Sequence, residues 1–261
     1  MLKFAANISM LFTEIPFLER FRAAKDAGFH HIEFLLPYEY NAEDLATRLA
    51  DNGLSQCLFN LPSGNWAGGE RGISALPDRV SEFREGIPKA IEYARTMKVP
   101  ALNCLSGKIS GSYSFEEHWK TLIQNIVFAA DALAGHGLTL MVENVNNKDV
   151  GGFYLYTTEL ALKAIAEANR PNVRLQYDIY HAQRVEGELV NILRNNFDAI
   201  GHIQIADNPK RNQPGTGEIN YPFIFRELVT LGYEGYIGLE YVPAPDTLGS
   251  LHWIREYGYT L

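Results

Sequence analysis

Hydrophobic positions in this chain fall in short runs with a period of two. In VRLQYD (173–178), Val173, Leu175 and Tyr177 alternate with Arg174, Gln176 and Asp178, the signature of a strand with two different faces. Eight such runs are readable: residues 4–9, 31–36, 54–60, 101–106, 138–144, 173–178, 201–206 and 236–241. Between them lie stretches with helical spacing, such as PFLERFRAAKDAG (16–28), where Pro16 can open a helix and Gly28 close it, and the similarly punctuated AEDLATRLADNG and ALAGHG. An open doubly wound sheet alternates in the same way, but eight repeats in 261 residues match the size of a closed barrel. The expected fold is therefore α/β, a single (β/α)8 TIM barrel forming one domain over residues 1–261.

Parity within the strands is more informative than their number. In a closed parallel barrel one strand face packs on helices and must be apolar, while the other looks inward. Phe4, Ala6 and Ile8, then Ile32, Phe34 and Leu36, Ile203 and Ile205, and Ile237, Leu239 and Tyr241 supply the helix-facing set. The opposite parity leads to Asn7, Glu33, Asn60, Asn103, Glu143, Asp178, Gln204 and Glu240, one polar side chain near the C-terminal end of each strand. These eight are expected to converge at the barrel mouth, where enzymes of this architecture carry out their chemistry. Burying so many acids together is unfavourable unless something positive or protonated sits among them.

Glu143, Asp178, Gln204 and Glu240 fall on strands five to eight in order, and form the candidate centre. Any one of them is equally well explained as a polar strand end paired with Arg or Lys. Four on successive strands with one parity are not. Three carboxylates and an amide oxygen suit a hard divalent ion such as Mg²⁺ or Mn²⁺, with zinc or cobalt as less favoured occupants. His181, three residues after Asp178, is a candidate metal ligand, substrate hydrogen-bond donor or support for a neighbouring ligand. His202 shares the parity of Gln204 from deeper in the barrel and reads as interior packing, while His30, His31, His118, His136 and His252 have no matching company.

Composition narrows the classes of partner. Net charge is −8, with no run of Lys or Arg, which argues against nucleic acid. The apolar start is interrupted at Thr13 and Glu14, too early for a signal-peptide core, and no stretch reaches the length of a membrane span, so a cytoplasmic protein with no membrane partner is expected. Cys57 and Cys104 lie in strand-like runs and read as buried thiols. The C-terminal LHWIREYGYTL is compatible both with a homo-oligomeric contact and with the core packing of a last helix.

Four segments, NLPSGNWAGGERGI (60–73), QYDIYHAQRVEGEL (176–189), GHIQIADNP (201–209) and PGTGEINY (214–221), together resemble the hydroxypyruvate isomerase family. That family lies within the xylose-isomerase-like barrels, which also hold sugar epimerases and endonuclease-IV-type nucleases. The resemblance runs from FAANISMLF to GLEY, and its combination is specific where DxxH or GxGE alone would be weak. It implies metal-assisted aldose-ketose isomerisation, here of hydroxypyruvate and 2-hydroxy-3-oxopropanoate (tartronate semialdehyde). Glu143 and Glu240 would handle protons, and Asp178 and Gln204 would complete the ion's shell. Many relatives in the wider family carry His where Gln204 stands, so HIQIAD points to the hydroxypyruvate isomerase branch.

Such a small hydroxy or oxo acid needs a cationic partner for its carboxylate. Arg71, in the Gly-rich loop after strand three, and Lys108, after strand four, are candidates alongside His181 as substrate-binding residues, with surface solvation the alternative account of Arg71 and Lys108. Trp66 is a candidate cover over the site. In PGTGEINY, Asn220 can cap a helix whose first turn holds Tyr221 and Pro222, and Glu218 reads as loop architecture. A 2-oxo-tetronate isomerase or ketose 3-epimerase would use the same two carboxylates. A nuclease would need a histidine-rich multi-zinc site and a basic groove, and a non-catalytic sugar-acid binding protein would exchange no proton with its ligand.

Overall fold

The computed structural model describes residues 2–109 and 111–261. Among these residues are nine strands: β1 (Lys3–Asn7), β2 (His31–Glu33), β3 (Ser55–Gln56), β4 (Leu58–Asn60), β5 (Ala101–Cys104), β6 (Thr139–Glu143), β7 (Val173–Asp178), β8 (Ile200–Ile205) and β9 (Tyr236–Leu239). The first helices are α1 (Arg20–Asp26), α2 (Ala42–Asp51), α3 (Val80–Met97), α4 (Phe115–Ala134) and α5 (Thr158–Ala168). They are followed by α6 (Ile179–Val185), α7 (Leu189–Asn195), α8 (Tyr221–Thr230), α9 (Thr247–Ser250) and α10 (His252–Glu256). All strand pairs are parallel, in the order β3-β2-β1-β9-β8-β7-β6-β5-β4.

The two ends of that order are neighbours in the chain, separated by Cys57 alone. The sequence pattern reads 54–60 as one strand, and the structure splits it. Ser55 and Gln56 pair with β2, whereas Leu58, Phe59 and Asn60 pair with β5. The stagger of a closed barrel makes the lower part of this strand face one neighbour and the upper part the other. The Cys57 N–H to Ile32 O bond (2.8 Å) and the Asn60 N–H to Leu35 O bond (2.8 Å) carry the ladder across the seam and close the barrel.

The inward and outward faces follow the period-two reading. Phe4, Ala6, Ile8, Ile32, Phe34, Ile203, Ile205, Ile237, Leu239 and Tyr241 all belong to the main apolar core between sheet and helices. Leu36 departs from the expectation: β2 ends at Glu33, and Leu36 lies half-buried beyond it at the rim of the mouth. Inside the barrel, Ala5, Cys57, Leu58, Ala101 and Met141 form a small apolar plug. Above it the eight inward polar residues are each no more than 7% exposed, which places them in the barrel interior.

Local chemistry fixes the helix starts. Asn41 accepts the Glu43 and Asp44 amides to cap α2, Ser114 and Glu117 form a reciprocal capping box on α4, and Asn220 accepts the Phe223 amide to start α8. Trp253 of α10 is buried and meets Phe4 edge-on at 5.4 Å, so core packing accounts for this C-terminal aromatic. Cys57 and Cys104 are buried free thiols. Among the described residues no helix is long and apolar enough to cross a membrane.

One glycine in the barrel wall is required by a close approach. A methyl group at Gly238 on β9 would overlap the Glu33 carboxylate, which is pinned by Asn7, Gln204 and His202. Gly238→Ala is expected to destabilise the protein by about 1–3 kcal/mol through overpacking. Urea unfolding measures this, and an unchanged midpoint would mean that the Glu33 cluster yields freely.

Candidate active site

The site is assembled from strand ends whose direction the barrel register dictates. Glu143, the last residue of β6, accepts the Asn103 amide on Oε2 at 2.6 Å, and Asn103 also donates to Asn60 Oδ1 at 3.1 Å. Asp178 ends β7 and caps α6: its Oδ1 accepts the Tyr180 and His181 amides at 2.7 and 3.1 Å. Its buried Oδ2 has no hydrogen-bond partner. The D-x-x-H spacing is thus a helix start that brings His181 Nε2 to 3.6 Å from that Oδ2, too long for a hydrogen bond.

Gln204 lies opposite Asp178 in the β7–β8 register. Its Oε1 accepts from Gln176 at 2.6 Å and its Nε2 donates to Glu33 Oε1 at 2.8 Å. His202, expected as interior packing, is buried with Nε2 2.7 Å from the other Glu33 oxygen. A polar layer therefore supports the acids from beneath.

Sequence reasoning missed the cation. Arg211, in the loop between β8 and α8, donates from Nη2 to Glu240 Oε1 at 2.6 Å and lies over the Tyr180 ring, 5.3 Å from its centroid. Its Nε is buried without a partner. The loop is held by Asp207, whose carboxylate accepts the Gly215, Gly217 and Ile219 amides at 2.9–3.1 Å, and a side chain at Gly217 would strike the Asn208 carbonyl. The available signal was a basic residue in a Pro/Gly-rich loop just after the run at 201–206, but Lys210 beside it carries the same signal.

Electrostatics follow from this arrangement. Burial, then the negative charges of Glu240 and Asp178, pushes the Glu143 carboxyl well above its ordinary range. Glu240 is raised to about 8, chiefly by burial, against the opposing pull of Arg211. Burial also lowers His181 to about 4, which keeps its imidazole neutral near pH 7. Without a bound ion, the mouth thus combines two carboxyls of raised proton affinity, a guanidinium and a neutral ring.

These groups open into a cavity of about 570 Å³, lined in part by Glu143, His181, Arg211, Glu240, Trp66 and Arg71. Arg71 is held in its loop by Nη1 bonds to the Trp66 and Glu70 carbonyls (3.0 and 2.7 Å) and stacks 4.1 Å from the Trp66 ring centre. Both therefore lie at the mouth, where the sequence put them. Lys108 does not: its backbone bridges to Phe153, and the residue is exposed outside the cavity lining. Arg20 lines the cavity instead, with Nε and Nη1 engaged by the Ile15 and Ile8 carbonyls. Glu218 accepts from Gln183 and Asn208, in keeping with a loop role.

Ligand atoms of Glu143, Asp178 and His181 lie within 4.8 Å of one another. With the orphaned Asp178 Oδ2 and the carboxylate-rich donor set, the residues fit a divalent cation.

The family model for xylose isomerase-like TIM barrels matches residues 21–257. The chain is 47% identical to hydroxypyruvate isomerase of Escherichia coli strain K12, covering 98% of this chain and 100% of that protein. It is also 47% identical to 2-oxo-tetronate isomerase of Pectobacterium atrosepticum, over 98% and 97% of the two chains. A crystal structure described as AP endonuclease, family 2, from Brucella melitensis superposes with a TM-score of 0.95 at 42% identity, covering 98% of this chain and 99% of that one.

Proposed function

The chain belongs to the xylose isomerase-like TIM barrels, and from that premise we propose that it interconverts hydroxypyruvate and 2-hydroxy-3-oxopropanoate by proton transfer through an enediolate. The observation that carries this reading is the pairing of two buried carboxyls of raised proton affinity, Glu143 and Glu240, across one cavity with Arg211 and a neutral His181. One carboxylate removes the proton from carbon 3 of hydroxypyruvate, the other carboxyl returns a proton to carbon 2, and the hydroxyl proton on the carbon 3 oxygen passes to the carbon 2 oxygen. Arg211 and the His181 ring face the region where negative charge develops on the substrate oxygens. Arg71 on its Trp66 platform is placed to meet the substrate carboxylate, and the indole helps exclude water. With these residues on one barrel, we read 1–261 as a single catalytic domain.

Glu143, Asp178, Gln204 and Glu240 would hold a divalent ion, for which we favour Mg²⁺ or Mn²⁺. Gln204 Oε1 keeps a second lone pair beyond the one taken by Gln176. When bound, such an ion polarises a carbonyl and stabilises negative charge on oxygen. A net charge of −8 and an acid-lined mouth suit one small anion held by arginines better than a phosphate backbone.

A second reading, 2-oxo-tetronate isomerisation, is favoured by the equal identity to the Pectobacterium enzyme and by a cavity of about 570 Å³, which has room beyond a three-carbon acid. The test is a panel of hydroxypyruvate, 2-oxo-tetronate and a free ketose in D₂O, with chelator-treated protein before and after addition of Mg²⁺ or Mn²⁺. We expect an acid to be isomerised with solvent deuterium on carbon, and the chelated protein to lose most turnover and regain it with the ion. A panel in which no acid acquires deuterium would point to a binding protein and end the proposal.

A further inference from the structure

His181 has two ring nitrogens, and the one that carries the proton decides what the other end of the ring can do. Its Nδ1 lies 2.7 Å from Asn146 Nδ2, with both side chains buried. Interchanging the oxygen and nitrogen of an Asn amide would reverse donor and acceptor, but the surroundings of Asn146 forbid the exchange. Asn146 Oδ1 accepts two backbone amides, from Lys148 at 3.1 Å and Asp149 at 2.8 Å. Its Nδ2 also faces the Asp149 carboxylate at 3.0 Å. A flipped amide would set an NH₂ against two N–H donors and an oxygen against a carboxylate. The NH₂ must therefore point at His181, and Nδ1 must accept.

We propose that Asn146 is a positioning residue that locks His181 as the tautomer protonated on Nε2, so that this N–H is the donor presented to a substrate oxygen in the cavity. The lock extends outward. Asp149 also accepts the Tyr180 hydroxyl at 2.6 Å and pairs with Arg184 at 2.9 Å, so the loop after β6 and helix α6 hold one another in register. A ring nitrogen bearing a proton has no lone pair for a cation. His181 is thereby excluded from the ion's shell despite its distance from Glu143 and Asp178. This assignment rests on the isomerase reading for its kinetic consequence, but the tautomer itself does not.

The experiment is long-range ¹H–¹⁵N NMR of the histidine rings in the metal-free full-length protein, with His181 assigned by its loss in His181→Gln. The proton is expected on Nε2 and is expected to stay there when Mg²⁺ is added. The double variant Asn146→Asp/Asp149→Asn keeps the net charge and reverses the donor facing Nδ1. It should move the proton to Nδ1 and lower kcat roughly 100-fold while KM changes less than about 3-fold, with Asn146→Ala between it and the wild type. A wild-type His181 protonated on Nδ1 or on both nitrogens, or displaced from Nε2–H by Mg²⁺, overturns the proposal even if no variant folds. So does full turnover in a double variant whose proton has moved. Failure of the wild-type protein to turn over any acid would remove the isomerase reading, while an Nε2 proton would still uphold the lock.

Discussion

Replacing Glu143 or Glu240 by Gln is expected to lower kcat by roughly 10³-fold or more, in the upper part of the range for loss of a positioned acid or base, without loss of the fold. Gln keeps the size of the carboxyl and removes both its capacity to exchange a proton and the charge it would offer a bound ion. Each site is already adapted to a neutral group, since burial raises both carboxyls. The sign of the stability effect follows. A Glu that ionises near 4.5 in the unfolded chain and near 8 when folded retains its proton more readily in the native state, so native stability falls as pH rises from about 4.5 to about 8. Metal-free Glu240→Gln should therefore melt at or above the wild-type temperature at pH 8, with the two proteins converging toward pH 4. Turnover assays and melting curves across that range check both parts. Variants that turn over normally would remove these residues from the chemistry, and a Glu240→Gln protein that melts lower at pH 8 would remove the argument from burial.

Arg211→Met should lower kcat/KM by roughly 10²–10³-fold, the loss typical of removing a charged donor aimed at a developing oxyanion. Met preserves much of the aliphatic bulk beside Tyr180 while leaving Glu240 without its 2.6 Å partner. The same change removes the main influence that holds the Glu240 carboxyl down toward about 8, so this group should titrate at higher pH, as read by isotope-edited infrared spectroscopy of the metal-free protein. Lys in place of Arg211 should recover only part of the activity, because one ammonium cannot reproduce the planar fork. Catalytic efficiency within about threefold of wild type in Arg211→Met would show that the guanidinium only neutralises its neighbour.

The barrel and its acid ring were legible because a wall of strands with helices outside forces a strict alternation, and an inward polar residue breaks it visibly. Glu143, Asp178, Gln204 and Glu240 could be found by parity alone. The break at Cys57 could not, because closure depends on stagger between distant strands and leaves no local mark on residues 54–60. Loop residues have no period to read. Lys108 and Arg211 both follow a strand in a polar loop, and only the hydrogen bonds that the Gly215, Gly217 and Ile219 amides donate to Asp207 aim the second inward. Asn146 was equally silent, since its role depends on an amide orientation set by backbone groups two and three residues later.

The acids stand on strand ends fixed by the ladder, whereas Trp66, Arg71, Asn146 and Arg211 come from loops that carry their own internal bonds. On the proposed reading, the carboxyls that move the proton and the Trp66–Arg71 segment that would meet the substrate carboxylate are thus encoded in separate stretches of chain. A lineage can exchange one mouth segment for another, admit a longer or shorter acid, and inherit its proton-moving apparatus unaltered.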